Sequence, residues 1–170
     1  GALTAIHRAC GRPLVALIET AKGIANVAAV AAAPGVARLA FGSVDLAADL
    51  GSPHLPDPLL PFRMQLVLAS CLAGLPQPID GVTLDLENAD SARSDANRAA
   101  SLGFTAKMCI HPRQIAPVSA GLAPTEAERD WAVRVLAHAG GAGALDGEMI
   151  DAPVRRRAEA ILRRATSAGA

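Results

Sequence analysis

The sequence is poor in the residues that bind nucleic acids. Aromatic residues make up 2% of its 170 positions, and tyrosine is absent. The 16 basic side chains are balanced by 16 acidic ones, so the formal net charge is zero. Because phosphate backbones attract an excess of Lys and Arg, and unpaired bases stack on aromatic rings, this composition argues against a nucleic-acid partner. It also gives no electrostatic reason for attachment to an anionic membrane surface.

Cysteines and long apolar runs are also scarce. The three cysteines, Cys10, Cys71 and Cys109, lie far apart and form no CxxC or Cys/His pattern, so the sequence indicates neither a zinc site nor a disulfide framework. No apolar run approaches the ~18 residues that a membrane span needs. The first residues lack the features of a signal peptide. We therefore expect a soluble protein in a reducing compartment, most simply the cytoplasm.

The chain does contain an alternation of short apolar runs and helical segments. Four runs predict buried strands, over residues 14–18, 36–41, 82–86 and 104–110. Helices are predicted over residues 23–33, 62–74, 90–102, 125–138 and 153–165. This order is typical of right-handed βαβ units and predicts an α/β fold with a parallel sheet. Four strands are too few to close a barrel of the common βα form, so a small open sheet and part of a larger fold both remain open.

Glu19 and Asp45 are the leading candidates for a functional site. Each is the first carboxylate beyond the end of a predicted strand, and one βαβ unit separates them. Neighbouring parallel strands direct such residues to the same mouth, where open sheets and barrels have their sites. Two oxygen ligands suit Mg²⁺, which keeps several waters and takes further ligands from substrate. The alternative is that both carboxylates only cap helices or pair with arginine.

Other polar residues near the strand ends have structural as well as functional interpretations. Asp85 and Glu87 share one strand face and could form a second ligand pair, although orienting loops or pairing with arginine is the favoured role. Asp49 also lies near a strand end, and a structural role is favoured for it as well. Lys107 lies inside a predicted strand, so it needs an ionic partner or a position in the site. His111, before Pro112, could move protons, but a role in the turn is favoured.

Two patterns in the last third of the chain superficially suggest anion binding. Residues 141–147 are rich in glycine, but they follow a helix and lack the dinucleotide-binding spacing, so we interpret them as a hinge. The arginines at 155–157 and 163–164 lie on the last predicted helix. A solvent-exposed helix face, favoured by the helix dipole, is the ordinary explanation for such arginines.

Four segments are similar, in order, to motifs of one family: Val15–Gly23, Leu39–Leu46, Gly103–Gln114 and Gly147–Pro153. They resemble the CoA ester lyases related to the citrate lyase β subunit, within the HpcH/HpaI aldolase superfamily. The resemblance implies a (βα)8 TIM-type barrel, of which residues 1–122 would supply strands five to eight. Residues 123–170 would form the C-terminal helical extension, a lid. The first four strands, with the arginine that holds the substrate carboxylate, would be missing.

The resemblance also assigns roles to individual residues. Glu19 and Asp45 match the two Mg²⁺ ligands, and Glu19, Met108 and Cys109 would contact the CoA substrate. Asp151 matches a catalytic acid–base residue that the lid of one subunit brings to its neighbour in a homotrimer. The implied reaction is reversible cleavage of a 3-hydroxyacyl-CoA thioester, such as malyl-CoA, citramalyl-CoA or a citryl thioester, into an acyl-CoA and a 2-oxo acid.

Two other functions stay open at this point. A non-catalytic half-barrel could bind CoA or a partner, or self-assemble through its exposed strand edges. A metal-dependent 2-oxo acid aldolase would use the same two carboxylates without CoA, although the sequence around Asp151 argues against it. Neither the acyl group nor the oxo acid follows from the sequence, and an acyl carrier protein could replace CoA.

Overall fold

The computed structural model describes residues 2–138, 143–145 and 148–167. The helices are α1 (Ala2–Cys10), α2 (Ala21–Ala25), α3 (Val27–Ala31), α4 (Ser43–Leu50), α5 (Pro56–Leu72), α6 (Ala89–Ser101), α7 (Ile115–Leu122), α8 (Glu126–Ala137) and α9 (Ala152–Ser167). The strands are β1 (Leu14–Ile18), β2 (Val36–Phe41), β3 (Ile79–Asp80), β4 (Ala106–Lys107), β5 (Gly143–Leu145) and β6 (Glu148–Ile150). A 3-10 turn covers Pro112–Gln114.

The first four strands form a parallel sheet in chain order, β1-β2-β3-β4. The register aligns Ile18 with Phe41 and Asp80 with Lys107, so the carboxyl ends of the strands lie at one edge. The predicted α/β fold with a parallel sheet is therefore confirmed. β5 and β6 form a separate antiparallel pair.

The third strand lies earlier in the chain than the sequence predicts, and the fourth is shorter. Residues 82–86 form no strand, and β3 ends before them. The buried side chain of Gln114 forms hydrogen bonds to the backbone of this segment instead. Its Nε2 donates to the carbonyl of Thr83 at 2.8 Å and to that of Asp85 at 3.3 Å. Its Oε1 accepts from the amide of Ile110 at 3.0 Å, beyond the end of β4. A side chain thus bridges two segments that strand pairing was expected to join.

None of the predicted helix ranges covers α1, α4 or α7, and α5 begins six residues earlier than predicted. Pro56 and Pro58 lie in the first turn of α5, where a missing amide hydrogen breaks no helical hydrogen bond, so the proline-rich crossing is itself helical. Because α4 begins directly after β2, Asp45 lies in the first turn of a helix and not in a loop.

Helices cover one face of the parallel sheet. Ala16 and Ile18 of β1 join Leu39 and Phe41 of β2 in a core cluster with α2, α3, α4, α5 and α6. The alternate residues of β1 point the other way: Val15 is 58% exposed and Leu17 47% exposed. Parallel sheets are normally covered on both faces, so this second face lacks its usual layer in the described chain.

A second apolar cluster joins the last elements. It consists of buried residues from α8, β6 and α9, namely Ala132, Val135, Ile150, Ala158 and Ile161. The predicted capping box of α8 is confirmed, since the side chain of Thr125 accepts from the Glu128 amide and that of Glu128 from the Thr125 amide. Part of the predicted hinge at residues 140–147 lies outside the described residues; of the rest, 143–145 form β5.

Two further observations concern disulfide bonds and membrane spans. Cys10, Cys71 and Cys109 are all free and exposed. Among the helices described, none has the length and apolarity required to cross a lipid bilayer.

Candidate active site

Glu19 lies at the carboxyl end of β1, directly over Gly42. The amide of Gly42 donates to the carbonyl of Ile18 at 2.9 Å, which holds the ends of β1 and β2 level. A Cβ built on Gly42 would lie 2.3 Å from the Cβ of Glu19 and 3.0 Å from its Oε2. Only glycine therefore leaves room for the Glu19 side chain in this position.

Asp45 lies on the first turn of α4, which begins where β2 ends. One turn further on, Asp49 accepts a 2.7 Å hydrogen bond from the amide of Ala21, at the start of α2. Residues i and i+4 share one face of a helix, so the Asp45 face of α4 is turned towards the segment between β1 and α2. Glu19 belongs to that segment.

Glu19 and Asp45 differ from their acidic neighbours in having no partner. Within residues 2–122, no hydrogen bond or ion pair joins either carboxylate to another described residue. Every other acidic side chain in this range has one: Asp49 with the Ala21 amide, Asp57 with Arg98, Asp80 with Arg63 and Lys107, Asp85 with Ser91, Glu87 with Arg113, Asp90 with Arg93 and Asp95 with Thr83. Hydrogen bonds and ion pairs therefore account for the other carboxylates, whereas Glu19 and Asp45 are available to bind a ligand.

The second ligand pair considered in the sequence does not form. Asp85 Oδ1 accepts from the amides of Glu87 and Asn88, both at 3.1 Å, and its Oδ2 from the Ser91 hydroxyl at 3.2 Å. Asp85 thus orients the turn that leads into α6, which is the favoured structural interpretation. Across the described part of the chain, no group of three or more His, Cys, Asp or Glu side chains is placed to hold a metal ion.

Lys107 is a member of a buried ionic network. Its Nζ donates to the carbonyl of Gly81 at 2.6 Å and lies 3.5 Å from Asp80 Oδ2. Asp80 Oδ1 pairs with Arg63 Nε at 2.8 Å, and the guanidinium of Arg63 lies 5.0 Å from the ring centre of Phe41. This network ties β3, β4 and α5 together. Asp80 and Arg63 escaped the sequence analysis because the pairing depends on strand register.

Met108 and Cys109 follow β4 at the same edge of the sheet. The amide of Met108 donates to the carbonyl of Asp80 at 3.0 Å, so this donor is already used by the fold. Burial raises the pKa of the Cys109 thiol, and the nearby Lys107 ammonium opposes that shift. A thiol held protonated is a poor nucleophile. His111 caps the 3-10 turn by accepting from the Arg113 amide at 3.1 Å, in agreement with the structural interpretation.

Asp151 lies between β6 and α9, where it caps the helix. Its Oδ1 accepts from the amide of Val154 at 3.0 Å, and its carbonyl from the amide of Arg155. Within this chain it does not join Glu19 and Asp45 in a cluster of three acidic groups, as far as the described residues extend. The arginines of α9 make ordinary contacts near the surface, such as Arg157 over the ring of Trp131 at 4.9 Å.

Comparisons with known proteins identify relatives over nearly the whole chain. The citrate lyase subunit beta-like protein of Mycobacterium tuberculosis is 36% identical, and the match covers 92% of this chain and 61% of the relative. The (3S)-malyl-CoA thioesterase of Cereibacter sphaeroides is 33% identical, with 82% and 52% covered. The mitochondrial citramalyl-CoA lyase of Rattus norvegicus is 33% identical, with 91% and 51% covered. This chain therefore spans about half to three fifths of the length of these relatives.

A solved structure has the same fold over most of the chain. The M. tuberculosis protein CitE, crystallised with magnesium, acetoacetate and coenzyme A, superposes with a TM-score of 0.82 at 36% identity, covering 91% of this chain and 61% of CitE. The family model for HpcH/HpaI aldolase/citrate lyase matches residues 5–112, which include β1 to β4, Glu19 and Asp45. The chain belongs to the HpcH/HpaI aldolase/citrate lyase family.

Proposed function

We propose that this chain supplies the metal-binding strands and the lid of a Mg²⁺-dependent CoA ester lyase. The enzyme would cleave a 3-hydroxyacyl-CoA thioester, such as malyl-CoA, citramalyl-CoA or a citryl thioester, into an acyl-CoA and a 2-oxo acid. One observation carries the proposal: Asp45 faces the segment that carries Glu19 at the neighbouring strand end, and neither carboxylate has a partner among the described residues. The relatives named for CoA thioesters, and CitE bound to magnesium and coenzyme A, support it.

The fold supports an incomplete barrel. Residues 1–122 would be strands five to eight of a (βα)8 barrel, since β1 to β4 are parallel and Val15 and Leu17, on the face of β1 turned away from the helices, are exposed. The alternation of Val15, Leu17 and Glu19 continues that face to the metal ligands, as expected of a barrel interior that opens at its mouth. Residues 123–170 would be the lid, because α8, β6 and α9 have an apolar cluster of their own.

The residues at the mouth fit a magnesium ion. Glu19 and Asp45 offer anionic oxygens, no described cation competes for them, and the space over Gly42 admits the Glu19 side chain. Two protein carboxylates are also the usual number, because Mg²⁺ keeps waters and takes substrate oxygens as further ligands. When bound, the ion would act as a Lewis acid on the oxygens of the 2-oxo acid.

Asp151 would move the proton. In cleavage the 3-hydroxyl would give its proton to a water molecule and become a carbonyl, the C2–C3 bond would break, and its electron pair would form the thioester enolate. Asp151 then returns a proton to C2, giving the acyl-CoA; in condensation it removes that proton. Oδ1 is used as the cap of α9, so Oδ2 would be the reacting oxygen. Among the described residues, Asp151 forms no cluster of three acidic groups with Glu19 and Asp45, which agrees with action on a neighbouring subunit; the homotrimer itself follows from the family resemblance.

The test is an assay of the intact gene product with each thioester and Mg²⁺, in which the 2-oxo acid and the acyl-CoA are both quantified. We expect equimolar products, and a loss of at least about 100-fold in kcat for Glu19→Gln and Asp45→Asn, because each removes a metal ligand. Asp130→Asn, on the exposed side of α8, is the matched control and should retain full activity.

Three outcomes would contradict the proposal. Release of free CoA and a hydroxy acid would indicate thioester hydrolysis, the reaction for which the C. sphaeroides relative is named. Cleavage of a free 2-oxo acid aldol without any effect of CoA would indicate an aldolase. Folded protein that acts on none of these substrates would indicate a binding or assembly module.

A further inference from the structure

A hydrogen bond next to the proposed metal site has no part in the mechanism above. The hydroxyl of Ser43 lies 2.9 Å from Nε2 of His54, which belongs to the segment between α4 and α5. Ser43 is the first residue of α4 and only 1% exposed, while His54 is half-buried. Ser43 follows Gly42, on which Glu19 rests, and precedes Asp45 by two residues.

The other side of Ser43 is closed by Gly81, just after β3. A Cβ built on Gly81 would lie 2.2 Å from the Ser43 Oγ and 3.0 Å from the carbonyl oxygen of Phe41. Gly81 is itself held, since its carbonyl accepts the 2.6 Å hydrogen bond from the buried Lys107. The start of α4 is therefore fixed between the end of β3 and His54.

Among the described residues, no other side chain is hydrogen-bonded to the start of α4. Gly42 occupies the N-cap position and has no side chain to bond the first turn. Burial, together with the charges of Arg63 and Lys107, lowers the pKa of His54, so its imidazole is neutral near pH 7 and can bond a hydroxyl in either direction. Asp80 and Asp95 oppose this shift but are smaller causes.

We propose that His54 is a positioning residue for the metal site, which fixes Ser43 and through it the turn that carries Asp45. The inference rests on the proposed function, because it requires that Asp45 binds a divalent cation. Groups that orient metal ligands contribute to affinity although they never touch the metal. His54 was not singled out by the sequence, since it acts through a contact between two turns.

Binding of Mn²⁺, followed by electron paramagnetic resonance, tests this inference with the full 170-residue chain. We expect His54→Leu and Ser43→Ala each to raise the Kd for Mn²⁺ at least about 10-fold, as is typical of groups that orient metal ligands. In the double variant the two losses of affinity should not add, because both remove the same hydrogen bond. His54→Gln, which keeps a hydrogen-bonding group, should restore most of the affinity. Leu55→Ala, an exposed change in the same segment, should leave the Kd unchanged.

The outcomes separate this inference from the proposed function. Wild-type protein that binds no Mn²⁺ would overturn the metal site and the inference together. Wild-type binding with an unchanged Kd in Ser43→Ala, which removes one oxygen and is expected to fold, would overturn the inference alone. Equal losses in His54→Gln and His54→Leu would also overturn it, because a packing role alone would then explain both.

Discussion

At the level of single residues, the close contact between Glu19 and Gly42 is possible because glycine has no Cβ. The φ of Gly42 is −80°, a value that any residue adopts, so only the contact demands glycine. We expect Gly42→Ala to displace the Glu19 carboxylate and to raise the Kd for Mn²⁺ at least about 10-fold. Isothermal titration calorimetry provides the measurement.

Gly51, at the other end of α4, is the matched control. Its φ is +64°, and a Cβ there would meet nothing within 4 Å. Gly51→Ala should lower the free energy of unfolding by about 1 kcal/mol through backbone strain, without changing the Kd. Equal metal affinity in Gly42→Ala and wild type would show that the Glu19 position does not matter.

The buried network around Lys107 yields a prediction about stability. The side chain of Lys107 is 1% exposed and that of Asp80 3%, so removal of the ammonium leaves a buried carboxylate whose one remaining ionic partner among the described residues is Arg63. We expect Lys107→Met to cost about 3 kcal/mol in the free energy of unfolding. Urea unfolding measures it.

The exposed pair Arg98–Asp57 serves for comparison. Asp57 is 94% exposed, so Arg98→Met should cost less than about 1 kcal/mol. Similar costs for both substitutions would mean that the interior network contributes no more than a surface ion pair.

At the level of elements, the sequence predicted what local apolar patterns determine. β1, β2 and most helices follow from apolar runs and caps, and the Thr125 capping box follows from residue spacing alone. Residues 82–86 form no strand and β4 ends before Ile110, because the side chain of Gln114 hydrogen-bonds the backbone of both segments.

The same contrast applies to the site. Strand order alone directs Glu19 and Asp45 to one edge, so the sequence could predict both, and the resemblance added Met108, Cys109 and Asp151. The distinction between free and partnered carboxylates could not be predicted, since it depends on contacts such as that of Asp49 with the Ala21 amide.

The capping role of Asp151 allows its chemistry and its structural contribution to be separated. Asparagine caps a helix about as well as aspartate, so Asp151→Asn should abolish at least about 99% of kcat while leaving the free energy of unfolding nearly unchanged. Asp151→Ala should lose activity and also about 1 kcal/mol of stability. Parallel assays and urea unfolding of both variants check this. Full activity in Asp151→Asn would remove it from the mechanism.

At the level of the whole molecule, the uncovered face of β1 is an apolar surface that we expect a neighbour to cover. Val15 is 58% exposed and Leu17 47% exposed, whereas a parallel sheet is normally covered on both faces.

The isolated chain should therefore associate through that face. We expect size-exclusion chromatography with light scattering to give a mass that rises with concentration, and Leu17→Glu to shift it towards the monomer. Val133→Glu, an equally exposed apolar position on α8, should not. A wild-type chain that stays monomeric at all concentrations would contradict the need for a covering layer.

The most direct test of the account is the location of a metal ion. We predict that crystals of the protein soaked in Mn²⁺ give one anomalous-scattering peak at the carboxyl edge of the sheet, about 2.0–2.3 Å from oxygens of both Glu19 and Asp45. A peak bound by only one of these carboxylates, a peak elsewhere, or no peak would contradict the shared metal site on which the proposed chemistry depends.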